Sequence, residues 1–129
     1  MNANYKLAIA LVAGAALGAA ASQALHAQAK PPAFTVSEID VTNQEGFVKE
    51  FAPLAVKALG QAAGYKALAR GGKSASIEGA PPKSRIVINT FANLDAAVAA
   101  YNSDAYKKAR EVGNKYATFR IYATEGVAQ

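Results

Sequence analysis

One stretch of the sequence decides how the fold is read: Ala67-Leu68-Ala69-Arg70-Gly71-Gly72-Lys73-Ser74. With Ala67 in place of the first glycine, it satisfies the loosest form of a phosphate-binding loop. Such a loop needs a strand before it and a helix after it, so that backbone amides cradle the phosphates. The residues that follow, up to Pro81-Pro82, are too few and too broken for a helix. A Gly-Gly pair between two strand-like runs, Tyr65 to Arg70 and Lys73 to Glu78, instead predicts a β-hairpin.

Apolar periodicity and capping residues around this stretch predict the other elements. Alternating apolar and polar residues indicate strands, and apolar residues three or four apart indicate helices. Before the hairpin we expect a strand from Phe34 to Val41 and a helix that begins at the capping box Thr42-Asn43-Gln44-Glu45 and is interrupted near Pro53. After the hairpin we expect a strand from Arg85 to Phe91 and a helix that is capped by Asn93, restarts at Ser103 and ends at Gly113. The last element is a strand from Thr118 to Thr124.

This order of elements predicts an α+β fold on the ferredoxin-like, split β-α-β plan, in which two helices cover one face of an antiparallel sheet. Apolar residues are expected on both faces of the sheet. One predicted set is Val36, Val87, Phe91 and Tyr122, and the opposite set is Ile39, Ile86, Ile88, Phe119 and Ile121. Because the helices cover only one face, we expect a homodimer that packs sheet against sheet.

The N-terminal residues have the three-part layout of a secretory leader. Lys6 lies in a short polar stretch, an apolar run extends from Leu7 to Ala21, and small residues follow at Ala27-Gln28-Ala29. The apolar run is shorter than the roughly 20 residues that span a membrane. We therefore expect a cleaved signal peptide over residues 1–29 and a single domain over 30–129. The mature domain is expected in the bacterial periplasm or outside the cell, and not stably inserted in a membrane. A retained anchor is the alternative.

The residue types of the mature domain limit its chemistry. The only His and the only Met, His26 and Met1, lie in the leader, and the chain has no Cys or Trp. An imidazole base, a thiolate nucleophile and the usual zinc and haem ligands are therefore missing, and we expect neither a metal nor a cofactor. Without Lys6, 13 basic residues against nine acidic ones give a net charge of +4. This scattered charge does not indicate nucleic-acid binding, but it suits a small anionic ligand.

Four short motifs together carry a family resemblance. They are Ala69-Arg70-Gly71-Gly72, Glu78-Gly79, Arg85-x-Val87-x-x-x-Phe91, and Tyr101-x-Ser103-x-x-Tyr106 followed by Ala109-Arg110. In this order they resemble the bacterial family named domain of unknown function 1330, over nearly the whole mature domain. The resemblance implies a dimeric α/β barrel, a superfamily that includes cofactor-free monooxygenases, isomerases and haem enzymes. A fold shared by such different enzymes does not select a reaction.

Four residues are candidates for ligand binding. The predicted hairpin sets Arg70 and Lys73 across its turn, where an Arg fork can hold a carboxylate or phosphate; two solvated side chains are the alternative. Arg85 begins the following strand and is a further anchor for an anion. Tyr106, near the predicted helix restart, could orient a ligand, although a Tyr on an apolar helix face more often belongs to the core.

The candidates for catalysis are two carboxylates and an arginine. Glu38 and Asp40 lie on one face of the first strand, from which they could point toward Arg85 or Arg120 on neighbouring strands. A carboxylate base beside an arginine suffices for proton abstraction, although a structural ion pair has the same pattern. Two functions remain open. One is a homodimeric binding or accessory protein for a small anionic ligand, and the other is a cofactor-independent, monooxygenase- or isomerase-like enzyme for a small anionic or aromatic substrate.

Overall fold

A computed structural model describes residues 29–128 of the chain. The leader predicted for residues 1–29 lies outside this range apart from its last residue. The elements are β1 (Ala33–Val41), α1 (residues 44–59), β2 (Lys66–Arg70), β3 (Arg85–Phe91), α2 (Leu94–Asn102), α3 (Asp104–Gly113) and β4 (Ala117–Glu125). Within residues 29–128, no helix is long and apolar enough to cross a membrane.

The four strands form one sheet in the order β2-β3-β1-β4, and every neighbouring pair is antiparallel. The helices pack on one face of this sheet, where they bury two clusters of apolar side chains. One cluster is centred on Phe91 and Tyr106, and the other on Phe47 and Phe51. The α+β, ferredoxin-like plan predicted from the sequence is therefore confirmed.

Helix α1 begins where the sequence predicts, but its cap is Asn43 and not Thr42. The Asn43 side chain accepts a hydrogen bond from the Gly46 amide at 2.9 Å, as an N-cap residue does. The Thr42 hydroxyl instead donates to the carbonyl of Tyr116 at 3.0 Å. Thr42 thus ties the start of α1 to the loop before β4, which a local capping pattern cannot reveal.

A π-helical turn, Phe47–Phe51, separates the α-helical parts of α1, Gln44–Gly46 and Ala52–Leu59. In this turn the Ala52 amide donates to the carbonyl of Phe47, five residues earlier. Pro53 follows directly and has no amide hydrogen to contribute to the helix. The interruption predicted near Pro53 is therefore present, as a widened turn just before the proline. Phe47 and Phe51, both buried, project from this turn into the core.

The hairpin predicted at Gly71-Gly72 is wrong. Strand β2 pairs with β3, and the residues between them, 71–84, form a loop in which Lys73 to Glu78 is not a strand. Gly71 turns the chain with a positive φ of 67°, while its amide still donates to the carbonyl of Ile86 at 2.8 Å. The small and polar residues after Gly72 would bury little apolar surface if they formed a strand. The β-branched residues of β3 bury such surface, so β2 pairs with β3 instead.

The faces predicted for β3 are also wrong. Paired residues of antiparallel strands point to the same side, and the register pairs Ser37 of β1 with Val87 and Ala33 with Phe91. Val87 and Phe91 therefore face the helices, while Ile86 and Ile88 lie on the outer face of the sheet. The outer face carries five large apolar side chains, each at least partly exposed: Phe34, Val36, Ile86, Ile88 and Tyr122.

We predict that Gly64→Ala destabilises the fold by about 2–4 kcal/mol, since it combines backbone strain with a steric clash. Gly64 has a φ of 70°, and a Cβ there would lie 2.5 Å from the backbone nitrogen of Ala92. The control is Gly72→Ala, because no atom lies within 4 Å of a Cβ at Gly72. Urea unfolding measures both variants, and an equal loss of stability would contradict the prediction.

Candidate functional site

A cavity of about 60 Å³ lies between the sheet and helix α1. Most of its wall is apolar and includes Phe47 and Phe51 from the π-helical turn. Its polar lining residues come from both layers and are Ser37, Tyr65, Arg70, Arg85, Asn89, Tyr101 and Tyr106. An apolar cavity with a few converging polar groups is the usual form of a small-molecule site.

Two arginines line this cavity. Arg70 ends β2 and Arg85 begins β3, and both stand on the side of the sheet that faces the helices, because Arg70 pairs with Val87. Burial, and secondly the positive charge of Arg70, lower the pKa of Arg85. No cavity-lining residue in the described part of the chain carries a carboxylate. The two cations therefore share the site without a compensating anion from that lining.

The local contacts of the two arginines differ. Arg70 donates to the hydroxyl of Tyr65 at 3.4 Å and is otherwise exposed at the edge of the sheet. Arg85 lies with its guanidinium carbon 5.2 Å from the centre of the Phe47 ring, and its Nε is buried without a hydrogen-bond partner. A Cβ at Gly71 would overlap the Arg85 guanidinium, so a glycine lets the chain turn directly over it.

Asn89 was missed by the sequence prediction, although it lies in the floor of the cavity. Its side chain is 2% exposed, and its Nδ2 donates to the Tyr101 hydroxyl at 3.2 Å. The same hydroxyl lies 3.2 Å from Oγ1 of Thr35, the residue that pairs with Asn89 across β1 and β3. The Oδ1 atom of Asn89 is buried without a partner. An Asn in the middle of the most strand-like run of the chain was the available signal, because Asn is depleted in strands.

Tyr106 lines the cavity as a neutral phenol. Burial, and secondly its interaction with Tyr101, raise the pKa of Tyr106 well above the ordinary tyrosine value. The rings of Tyr106 and Tyr101 meet edge to face, with centroids 4.7 Å apart. Ser103 caps α3 by accepting from the Tyr106 amide at 3.2 Å, as the sequence predicts. The hydroxyl of Tyr106 is thus a hydrogen-bonding group and cannot act as a base near neutral pH.

The other predicted site residues lie elsewhere. Lys73 is exposed in the loop 71–84 and does not line the cavity. Glu38 and Asp40 lie on the outer face of the sheet, where Glu38 pairs with Arg120 at 2.5 Å. Asp40 pairs with Lys83 at 2.8 Å, and a hydrogen bond from that ammonium group lowers the pKa of Asp40.

These positions correct the predicted grouping of Glu38 and Asp40 with Arg85. Strand alternation places both carboxylates on the outer face of the sheet and Arg85 on the face toward the helices, since Arg85 pairs with Ile39. The structure brings together Arg70, Arg85 and Tyr106, and leaves out the two carboxylates and Lys73. The described residues contain no group of three or more His, Cys, Asp or Glu side chains that could hold a metal ion.

Residues 32–127 match the family described as Domain of unknown function (DUF1330). The chain belongs to this family. The resemblance seen in the sequence motifs is thereby confirmed, and it extends over nearly all of the described residues. No functionally curated protein matches the sequence of this DUF1330 member.

Solved structures with the same fold include two with a named activity. SnoaB of Streptomyces nogalater, a cofactor-independent oxygenase, has a TM-score of 0.57 and 12% identity, over 77% of this chain and 96% of SnoaB. A protein of Caulobacter crescentus CB15, named as a candidate antibiotic biosynthesis monooxygenase, has a TM-score of 0.54 and 19% identity, over 77% and 92% of the two chains. At these identities the DUF1330 chain shares the fold with both proteins, and the fold alone assigns no reaction.

We predict that Arg85→Met leaves the melting temperature of the ligand-free protein unchanged or raises it. Methionine keeps the apolar stem in place and removes a partly buried cation that Arg70 repels. The control is Lys73→Met, which removes an exposed cation outside the cavity and should change stability by no more than about 0.5 kcal/mol. Differential scanning calorimetry compares the variants. A clear loss of stability in Arg85→Met alone would show that Arg85 supports the fold.

Proposed function

We propose that this protein binds a small organic anion in the cavity between sheet and helices, with Arg70 and Arg85 holding its carboxylate. The observation that carries the proposal is that two arginines line one mostly apolar cavity and no carboxylate from the described residues lines it with them. The unpartnered, buried Nε of Arg85 is a hydrogen-bond donor that a ligand oxygen can satisfy.

The positive charges of Arg70 and Arg85 favour an anionic ligand. Removing a cation from water costs free energy, and a second cation nearby adds repulsion, which is why the pKa of Arg85 is lowered. A carboxylate that enters the cavity reverses both effects, because it supplies the missing opposite charge and accepts directed hydrogen bonds from a guanidinium fork. The site is therefore more favourable with an anion bound than without one.

The cavity also limits the size of the ligand. Its volume of about 60 Å³ corresponds to about four water molecules, at roughly 10–15 Å³ each on this measure. A short carboxylic acid fits the enclosed part, with its carbon chain against Phe47, Phe51 and Val87. The remainder of a larger ligand has to extend out of the cavity past Arg70, which is exposed at the edge of the sheet.

A second candidate function is cofactor-independent oxygenation of a substrate held in the same cavity. The observation in its favour is the fold shared with SnoaB. Proton abstraction from a substrate requires a base, and the ionisable groups of the cavity lining within the described residues are phenols and guanidinium groups. Burial raises the pKa of Tyr106, so its hydroxyl keeps its proton near neutral pH. The residues that line the cavity therefore favour binding over this reaction.

We further propose that two copies of the chain pack together through the outer face of the sheet. This face carries the five apolar side chains Phe34, Val36, Ile86, Ile88 and Tyr122, of which Tyr122 is 45% exposed. The ion pairs Glu38–Arg120 and Asp40–Lys83 lie beside them on the same face. An apolar centre with charged groups at its border is typical of a protein interface.

We predict that short carboxylates raise the melting temperature of the purified protein by about 10 °C or more at concentrations near 100 times their Kd, since such binding is worth about 2.7 kcal/mol. Arg70→Gln and Arg85→Met should each remove most of this response. Lys73→Gln is the control, because Lys73 is an exposed cation outside the cavity. Thermal shift with acetate, propionate, butyrate and inorganic phosphate provides the measurement. If the arginine variants respond as the wild type does, the carboxylate site is disproved.

We predict that Val36→Asp converts a dimer into a monomer, because it places a charge in the centre of the outer face. Val98→Asp is the control, since Val98 is an apolar residue on helix α2 with 49% exposure. Size-exclusion chromatography with light scattering at micromolar concentration determines the mass of each protein. A wild-type protein that is monomeric under these conditions would contradict the proposed interface.

A further inference from the structure

The cavity floor contains a hydrogen-bond acceptor that the arginines do not use. Asn89 lines the cavity and is 2% exposed; its Nδ2 is bonded to the Tyr101 hydroxyl, and its Oδ1 is buried without a partner. Leaving a buried acceptor unsatisfied costs about 1–3 kcal/mol. The surrounding strand is rich in β-branched residues, any of which would fill this position without that cost.

Among residues 29–128, the hydrogen bond of the Asn89 side-chain amide is to Tyr101, and the Tyr101 hydroxyl is also within hydrogen-bond distance of Thr35 Oγ1. An apolar residue at position 89 would therefore leave Tyr101 with a partner. Tyr101 fixes the orientation of the amide by accepting the bond from Nδ2.

The acceptor and the arginine donor lie on the same strand. Asn89 and Arg85 both face the helices from β3, and their Cα atoms are about 13 Å apart because four residues of strand separate them. Val87 lies between them on the same face and lines the cavity. A ligand that satisfies both groups has a carboxylate at the arginine end, a short apolar chain over Val87 and a hydrogen-bond donor at the Asn89 end.

We infer that the ligand is a short hydroxy acid, whose carboxylate is held by Arg70 and Arg85 and whose hydroxyl donates a hydrogen bond to Oδ1 of Asn89. This inference rests on the proposed carboxylate site and adds the selection of the donor. A hydroxyl satisfies the orphaned acceptor, whereas a keto oxygen or a methyl group leaves it unpaired. The protein therefore distinguishes hydroxy acids from the corresponding unsubstituted acids.

The test compares matched pairs of ligands by isothermal titration calorimetry. The pairs are 3-hydroxybutyrate and butyrate, 4-hydroxybutyrate and butyrate, and 5-hydroxypentanoate and pentanoate, with pyruvate as an acid that only accepts hydrogen bonds. In at least one pair we expect the hydroxy acid to bind about tenfold more tightly, as one satisfied buried acceptor implies. We expect pyruvate to bind no more tightly than propionate.

Two variants assign this selectivity to Asn89. Asn89→Leu should bring every hydroxy-to-parent affinity ratio close to one, while both acids still bind through the arginines. Thr35→Val is the matched control, because Thr35 is buried, contacts the same Tyr101 hydroxyl and does not line the cavity. It should keep the wild-type ratio. If Asn89→Leu does not fold, Asn89→Ala replaces it, since alanine adds no new contact.

Each result has a distinct meaning. Equal affinities within all three pairs, or an unchanged ratio in Asn89→Leu, would overturn the hydroxy-acid inference and leave the arginine site intact. If no carboxylate binds the wild-type protein, the proposed function and the inference both fail. A ratio near ten in the wild type that is lost in the Asn89 variant and kept in Thr35→Val supports the inference.

Discussion

The antiparallel pairing of β1 with β3 is the constraint on which the rest of the structure depends. It pairs Ala33 with Phe91, Thr35 with Asn89 and Ile39 with Arg85. Side chains alternate along a strand, so this register alone decides that Arg85, Val87 and Asn89 face the helices. A slip of one residue would turn all three to the outer face and bring Ile86 and Ile88 inward. The register of β1 with β3 therefore decides both which side chains form the core and which line the cavity.

The cavity combines two features that oppose stability. Two arginines share a mostly apolar site, and two buried polar atoms, Arg85 Nε and Asn89 Oδ1, have no partner among the described residues. Stable cores avoid such groups, because an unpaired buried polar atom costs free energy and gives none back. Both residues line the cavity, which supports the proposed ligand, since binding would satisfy both atoms at once.

Several predictions from the sequence were correct because they depend on local physics. The predicted caps Asn93 and Ser103 both accept from the amide three residues on, whereas the capping box predicted at Thr42 was wrong about the cap, which is Asn43. Arg70 and Arg85 both line the cavity, and their role in ligand binding stays a prediction. The errors concern partners distant in sequence. The prediction of the second hairpin strand was wrong because strand pairing depends on the apolar surface that it buries. A Gly-Gly pair carries no information about that surface.

The sequence by itself determined the order of the elements apart from the second hairpin strand, the family and the chemical types that can occur in residues 30–129. These follow from periodicity, short motifs and composition, which the linear chain carries directly. The secretory leader remains a prediction from the same kind of pattern. Only the tertiary structure decided that Glu38 and Asp40 lie on the sheet face opposite to Arg85, and that Asn89 lines the cavity with its Oδ1 buried and unpartnered. The physical reason is that register and burial arise from contacts between distant residues, here β1 with β3 and the helices with the sheet.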